Sequence, residues 1–219
     1  MITTPRRAVV KSAALAAAAL WIAGAAPWVQ AAEETPDVMI QRLSDEVLTT
    51  IRSDKSLQNG DIERVMAVVD SKIMPNVNFT RMTASATGPS WRKATPEQKQ
   101  RLQTEFKHLL VRTYAGALKQ VSDQSVEVKP MRSAPTDKEV VVRTVVKSKG
   151  EPIQLDYRME RTPGHGSGWK IYDLNVLGVW LVDNYRPQFS QQLNTGGVDA
   201  LIKSLSERNQ TNVAKGAKG

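Results

Sequence analysis

Ile153, Leu155, Tyr157 and Met159 alternate with Gln154, Asp156, Arg158 and Glu160. Successive side chains of a strand point to opposite faces, so this stretch buries one face and wets the other. It is the cleanest of four period-two segments, "SVEVKPM", "EVVVRTVVKS", "PIQLDYRMER" and "GWKIYDLNV". Turns near Gly150 and at "PGHGSG" (163–168) separate neighbouring segments. The pattern is that of an antiparallel sheet covered on one side.

The cover is written on both sides of the strands. Thr35-Pro36-Asp37 reads as an N-cap followed by a first-turn proline, and Leu43, Val47, Leu48 and Ile51 then share one face to about Ser53. Asp61 is placed to cap a second helix to about Ile73, which Pro75 ends, and Phe79 to Ala86 forms a short helix before "TGPS". Thr95-Pro96-Glu97-Gln98 is a capping box, opening a helix to about Val121 with Leu102, Phe106, Leu109, Leu110, Tyr114 and Leu118 in its stripe. After the last strand, Gly178 permits a turn into a helix carrying Val182, Tyr185, Phe189 and Leu193. Pro187 is expected to kink or divide it, and a final helix follows Gly196-Gly197. The fold class predicted is α+β: a four-stranded antiparallel meander covered on one face by several helices.

Residues 1–31 read as a cleaved signal peptide. Arg6, Arg7 and Lys11 precede an apolar stretch to about Ala26, and Val29-Gln30-Ala31 offers small residues at cleavage-site spacing. The apolar stretch falls short of the ~20 residues of a membrane span. Residues 32–209 are expected to form a single domain, and 210–219 a polar, disordered tail. The chain has no cysteine, which excludes disulfides, thiolate metal sites and a lipid-modified cysteine. Export without a lipid anchor points to the periplasm. The formal charge is +8, three of it from Arg6, Arg7 and Lys11. The remaining basic residues are dispersed, which argues against nucleic acid and allows transient contact with an anionic membrane surface.

Little in the chain suggests catalysis. His108 and His165 lie on different elements without metal-ligand spacing, and no phosphate-binding glycine loop occurs. "GHGSG" lacks the glycine spacing of a nucleophile elbow. Asp173 is the one carboxylate worth following, because strand alternation from Ile171 turns it to the same side, where burial would raise its pKa toward that of a general base. Apolar side chains converge from the long helix (Phe106, Leu110, Tyr114), the strands (Val142, Val146, Leu155, Tyr157, Met159) and the later helix (Val179, Val182, Tyr185). Periodicity alone does not separate a packed core from a pocket wall.

"WKIYDLNVLGVWLVDNYRPQFSQQLNTGGVDALIKSL" resembles the C-terminal signature of the MlaC family, also called toluene-tolerance or Ttg2D-type proteins. "FTRMTASATGPSWRKATPEQKQRLQTEFKHLLVRTYAGAL" is similar to the family's helical section. The resemblance implies a nuclear-transport-factor-like or cystatin-like fold and a periplasmic phospholipid carrier. Its partners would be an inner-membrane ABC lipid-transporter complex and an outer-membrane lipoprotein/porin complex. It implies no cofactor, phospholipid being the cargo, and no catalytic residue. Phe79 and Trp91 join the side chains above as candidate lipid-binding residues. Leu177, where the family commonly has an acid, Trp180, where it commonly has serine, and Pro187 depart from the pattern. The alternatives are a hopanoid or other lipid as cargo, or a small exported enzyme with Asp173 as base.

Overall fold

The computed structural model describes residues 34–121, 123–132, 134 and 136–216. The signal-peptide reading lies outside them.

Helix α1 (Pro36–Ser53) begins with Thr35 in extended φ/ψ. The Thr35 side chain makes no cap bond, contrary to the sequence expectation; its carbonyl accepts from Met39 N at 2.9 Å. Asp54 caps α2 (Lys55–Gln58), accepting from Ser56 N at 2.9 Å, and Asp61 caps α3 (Ile62–Val68), accepting from Arg64 N at 3.0 Å. The chain then widens into a π-helical stretch, Val69–Ile73, and tightens into a 3-10 turn, Met74–Asn76, that contains Pro75. Helices α4 (Phe79–Thr87) and α5 (Ser90–Lys93) follow.

Helix α6 (Pro96–Tyr114) opens with the expected capping box. Gln98 N donates to Thr95 Oγ1 at 3.2 Å, and Thr95 N donates to Gln98 Oε1 at 3.0 Å. The α-helix ends at Tyr114 rather than near Val121, and Ala115–Gln120 continues as a 3-10 helix. Gly116, a poor helix former, falls in the altered turn.

The sheet is antiparallel in chain order: β1 (Ser125–Val128), β2 (Glu139–Lys147), β3 (Ile153–Arg161), β4 (Trp169–Val176) and β5 (Val179–Trp180). It has five strands where the sequence marks four. The segment expected to turn straight into a helix first makes a hairpin, pairing Asn175 with Trp180 and Val176 with Val179. Leu177 (φ 53°) and Gly178 (φ 87°) form its turn, both with positive φ as a type I′ turn requires.

A bulge decides which face Asp173 occupies. Arg158 pairs with Asp173 but Met159 pairs with Ile171, so Tyr172 is the extra residue on β4. Side-chain parity reverses there: Ile171 and Leu174 share the helix-covered face, and Asp173 and Asn175 take the other. Asp173 therefore does not lie on the side of Ile171. The outer face is also less wet than alternation suggests, since Asp156, Asp173 and Asn175 are all buried. Asp156 is held by Gln154 Nε2 at 2.6 Å and Thr144 N at 3.3 Å.

Helix α7 (Leu181–Gly216) packs against α4 and α6. Pro187 lies inside it, yet the backbone leaves helical φ/ψ at Gly196 and Gly197. A Cβ on Gly196 would meet that of Ala200 at 2.6 Å, and Gly197 has φ 72°, so both places favour glycine. The helical backbone continues past Asn209 to Gly216, into the stretch expected as a tail; no proline or glycine interrupts 210–215.

Apolar packing forms three clusters. The first joins α4, α6 and α7 around Phe106, whose ring centroid lies 5.6 Å from that of Phe79, 5.2 Å from Tyr185 and 5.1 Å from Phe189. The second sets α1 (Met39, Ile40, Leu43) on the sheet (Val142, Met159, Ile171). The third gathers Ile51, Leu57, Val65, Val68 and Val111 at the far end of α1. Between them the packing stays open.

Candidate functional site

The gap between the clusters is a cavity of about 530 Å³. Helix α1 contributes Leu43, Ser44 and Val47; α3 and the turns after it contribute Val68, Ile73 and Met74; α6 contributes Leu110 and Tyr114. The floor is the inner face of the sheet, with Val126, Val146, Leu155, Tyr157, Ile171 and Leu174. Nearly every lining side chain is aliphatic or aromatic, as expected where period-two and period-3.6 apolar faces meet without touching. Such a volume lies within the ~300–1,000 Å³ typical of ligand pockets.

Leaving this space dry and empty would be expensive. The lining atoms forgo the contacts that a filled chamber would give them, and the cost grows with the space left unfilled. Water is a poor filler, because few polar groups are present to hold it. An apolar occupant removes both penalties.

Tyr157 supplies one polar point in the wall. Tyr157 is partly buried at the edge of the hollow, and burial pushes its pKa up to about 12. It sits on β3 with the Ser44 side chain of α1 and the Thr144 side chain of β2 close enough to its phenol to draw its pKa down, less strongly. Tyr114 is also raised, by burial first and by Tyr185 second.

Of the residues anticipated from sequence, Phe79, Leu110, Tyr114, Val146, Leu155 and Tyr157 line the cavity. Phe106, Val182 and Tyr185 are instead packed solid in the α4–α6–α7 cluster, and Val142 and Met159 in the α1–sheet cluster. Trp91 packs beside the first of these clusters with Lys99 Nζ 5.6 Å from its ring centroid. Val179 is 52% exposed on β5. The sequence reading omitted α1 and the 62–76 region from the site. The i, i+4 series Leu43, Val47 and Ile51 was the available signal, but it reads equally well as core.

Asp173 is fully buried and does not line the cavity. Its Oδ1 accepts from Leu174 N at 2.9 Å and Val182 N at 3.1 Å, and Oδ2 accepts from Arg158 Nη1 at 2.8 Å. Burial raises its pKa, outweighing the two backbone donors and Arg158, which pull it down. The Arg158 guanidinium also lies 4.0 Å from the Trp180 ring centroid. This is a structural carboxylate: it takes the first-turn N–H that Trp180, at the N-cap position, has no acceptor to satisfy.

His108 lies part-buried on α6, its pKa lowered by burial, and His165 is exposed in the β3–β4 turn. Among the described residues no cluster of His, Cys, Asp or Glu could hold a metal, and no helix is long and apolar enough to cross a membrane.

An antiparallel sheet, a helical cover and an apolar chamber between them define the class: an α+β cavity protein. The family model described as MlaC protein matches residues 41–207. The chain belongs to the MlaC family. It is 25% identical over 179 residues to the intermembrane phospholipid transport system binding protein MlaC of Haemophilus influenzae, covering 80% of this chain and 83% of that protein. It is 26% identical over 181 residues to the toluene tolerance protein ttg2D of Pseudomonas putida, covering 82% of this chain and 83% of that protein. The phospholipid-binding protein from Ralstonia solanacearum, solved in complex with a phospholipid, superposes with a TM-score of 0.77 at 45% identity, over 81% of this chain and 98% of that one.

Proposed function

We propose that this protein is a periplasmic carrier that shuttles phospholipid between the inner and outer membranes. The acyl chains lie in the cavity between α1, the 62–76 region, α6 and the sheet. The observation that carries this reading is an apolar chamber of about 530 Å³ in a chain 45% identical to a protein solved with phospholipid. Residues 32–209 act as a single lipid-binding domain, delivered by the signal peptide at 1–31. Loading and unloading take place at an inner-membrane ABC lipid-transporter complex and an outer-membrane lipoprotein/porin complex.

The energetics call for a carrier. Two chains of about fifteen methylenes each have roughly 24 kcal/mol of transfer free energy, at ~0.8 kcal/mol per methylene. A free lipid does not cross water at a useful rate against that. A protein that exchanges water-exposed methylenes for its own apolar wall lowers the barrier without making or breaking a bond. No catalytic group is needed, and Asp173, the carboxylate with a raised pKa, is spent on Arg158 and the start of α7 rather than facing the cargo.

Native mass spectrometry of the protein, purified from its own periplasm without detergent, tests the reading together with lipid extraction. About one phospholipid per chain is expected. A hopanoid in its place would retain the carrier and change its cargo. Folded protein that carries no lipid and stays empty when offered vesicles would overturn it.

A further inference from the structure

Among the described residues that line the cavity, Lys107 is the only charged one. It lies on α6 next to a wall that is otherwise aliphatic, aromatic or weakly polar. Its side chain is 22% exposed, so it stands where the chamber reaches solvent. The ammonium Nζ is 2.6 Å from Asp70 Oδ1, and Asp70, on the π-helical stretch, is 49% exposed and does not line the cavity. The lysine stem therefore runs along the apolar wall while its charge is carried to the rim, the usual compromise for a long cationic side chain at such a boundary.

A double-chain lipid held by its tails has the same polarity. Its phosphodiester has to stay at the rim, because burying that charge unpaired costs far more than the tails gain locally. Among the described residues, the only place on the lining with a fixed positive charge is the gap between α6 and residues 69–73. Resting on the carrier reading, we infer that Lys107 is the headgroup subsite: its ammonium binds a phosphodiester oxygen at this gap, with Asp70 holding it in place when no lipid is bound. The partner exchange is balanced, one charge-assisted hydrogen bond from Nζ replacing another, so the lysine is never left unpaired. The subsite selects lipids that carry a phosphate over equally apolar lipids that lack one, and it orients the cargo with its tails toward the sheet.

The test uses lipid-stripped protein offered phosphatidylcholine vesicles that contain phosphatidylglycerol and diacylglycerol of the same chains, with bound lipid quantified by mass spectrometry. Wild type takes phosphatidylglycerol in preference. Lys107→Gln loses about tenfold or more of that preference, the size of one hydrogen bond to a charged group, and Lys107→Arg retains it. Asp70→Asn breaks the same ion pair but leaves the ammonium, and keeps or raises the preference. Lys107→Gln that discriminates as well as wild type overturns the subsite, as does equal loss in Lys107→Gln and Asp70→Asn, which would mark the pair as purely structural. Should Lys107→Gln fail to fold, Asp70→Asn decides alone: preference lost with the ammonium still present overturns the subsite. Wild type that takes up no lipid at all, phosphatidylcholine included, overturns the carrier reading itself, a result separable from the others.

Discussion

Asp173 and Val182 lie nine residues apart and are joined by a hydrogen bond of 3.1 Å, from the Val182 amide to the Asp173 carboxylate. The bond ties the last long strand to the first turn of α7, and Arg158 closes it from the other side at 2.8 Å. Removing the carboxylate strands a helix N–H and leaves a half-buried guanidinium without this partner. Asp173→Ala is expected to destabilise the fold by about 2–3 kcal/mol, a loss moderated by the partial exposure of Arg158. Urea denaturation measures it. Lipid content per folded chain should be unchanged, and a folded variant that binds no lipid would instead place Asp173 in the binding machinery.

Tyr157 presents its ring to the cavity between Leu155 and Leu174. Tyr157→Asp puts a charge where acyl chains are proposed to lie, without removing a main packing residue. The variant should fold and purify without lipid, as read by extraction and mass spectrometry. Lipid retained at wild-type stoichiometry would remove Tyr157 from the binding wall.

The Tyr157 hydroxyl also sets an alkaline limit. Its folded pKa, about 12, stands above the ordinary value of 10.0. The neutral phenol is therefore favoured by the fold, and its contribution to stability is fully present below pH 10 and lost as pH rises through about 12. Ultraviolet titration of the phenols in the folded protein should show one group ionising near this upper value. Tyr157→Phe should remove that step and flatten the decline of stability between pH 10 and 12. A step that persists in Tyr157→Phe would assign it to another tyrosine.

Leu177 is the one residue besides glycine with positive φ among those described, and it is 66% exposed. A leucine in the left-handed region costs roughly 1–2 kcal/mol, and its exposed side chain returns little by packing. Asn-Gly is the favoured pair for this turn. Leu177→Asn is expected to raise stability by about 1 kcal/mol, seen as a higher thermal midpoint. An unchanged or lower midpoint would show that the leucine side chain stabilises the hairpin more than its backbone strain costs.

The sequence by itself determined what is local. Thr95, Pro96 and Gln98 specify the start of α6 through bonds within one helical turn, and the alternation around Tyr157 specifies a strand through the geometry of its own backbone. The family pattern likewise follows from residue order alone. Tertiary structure decided the rest, because periodicity gives the direction of a face and not its distance from the next. Phe106 and Leu110 lie on one α6 stripe, yet Phe106 is packed among three other rings while Leu110 borders the cavity. The same limit hid α1 from the site: Leu43 and Val47 read as core until the sheet's separation from the helix is known. Asp173 shows the sharpest case. One extra residue at Tyr172 reverses every side chain beyond it, and that bulge arises from pairing with β3, a partner that no reading of β4 alone contains.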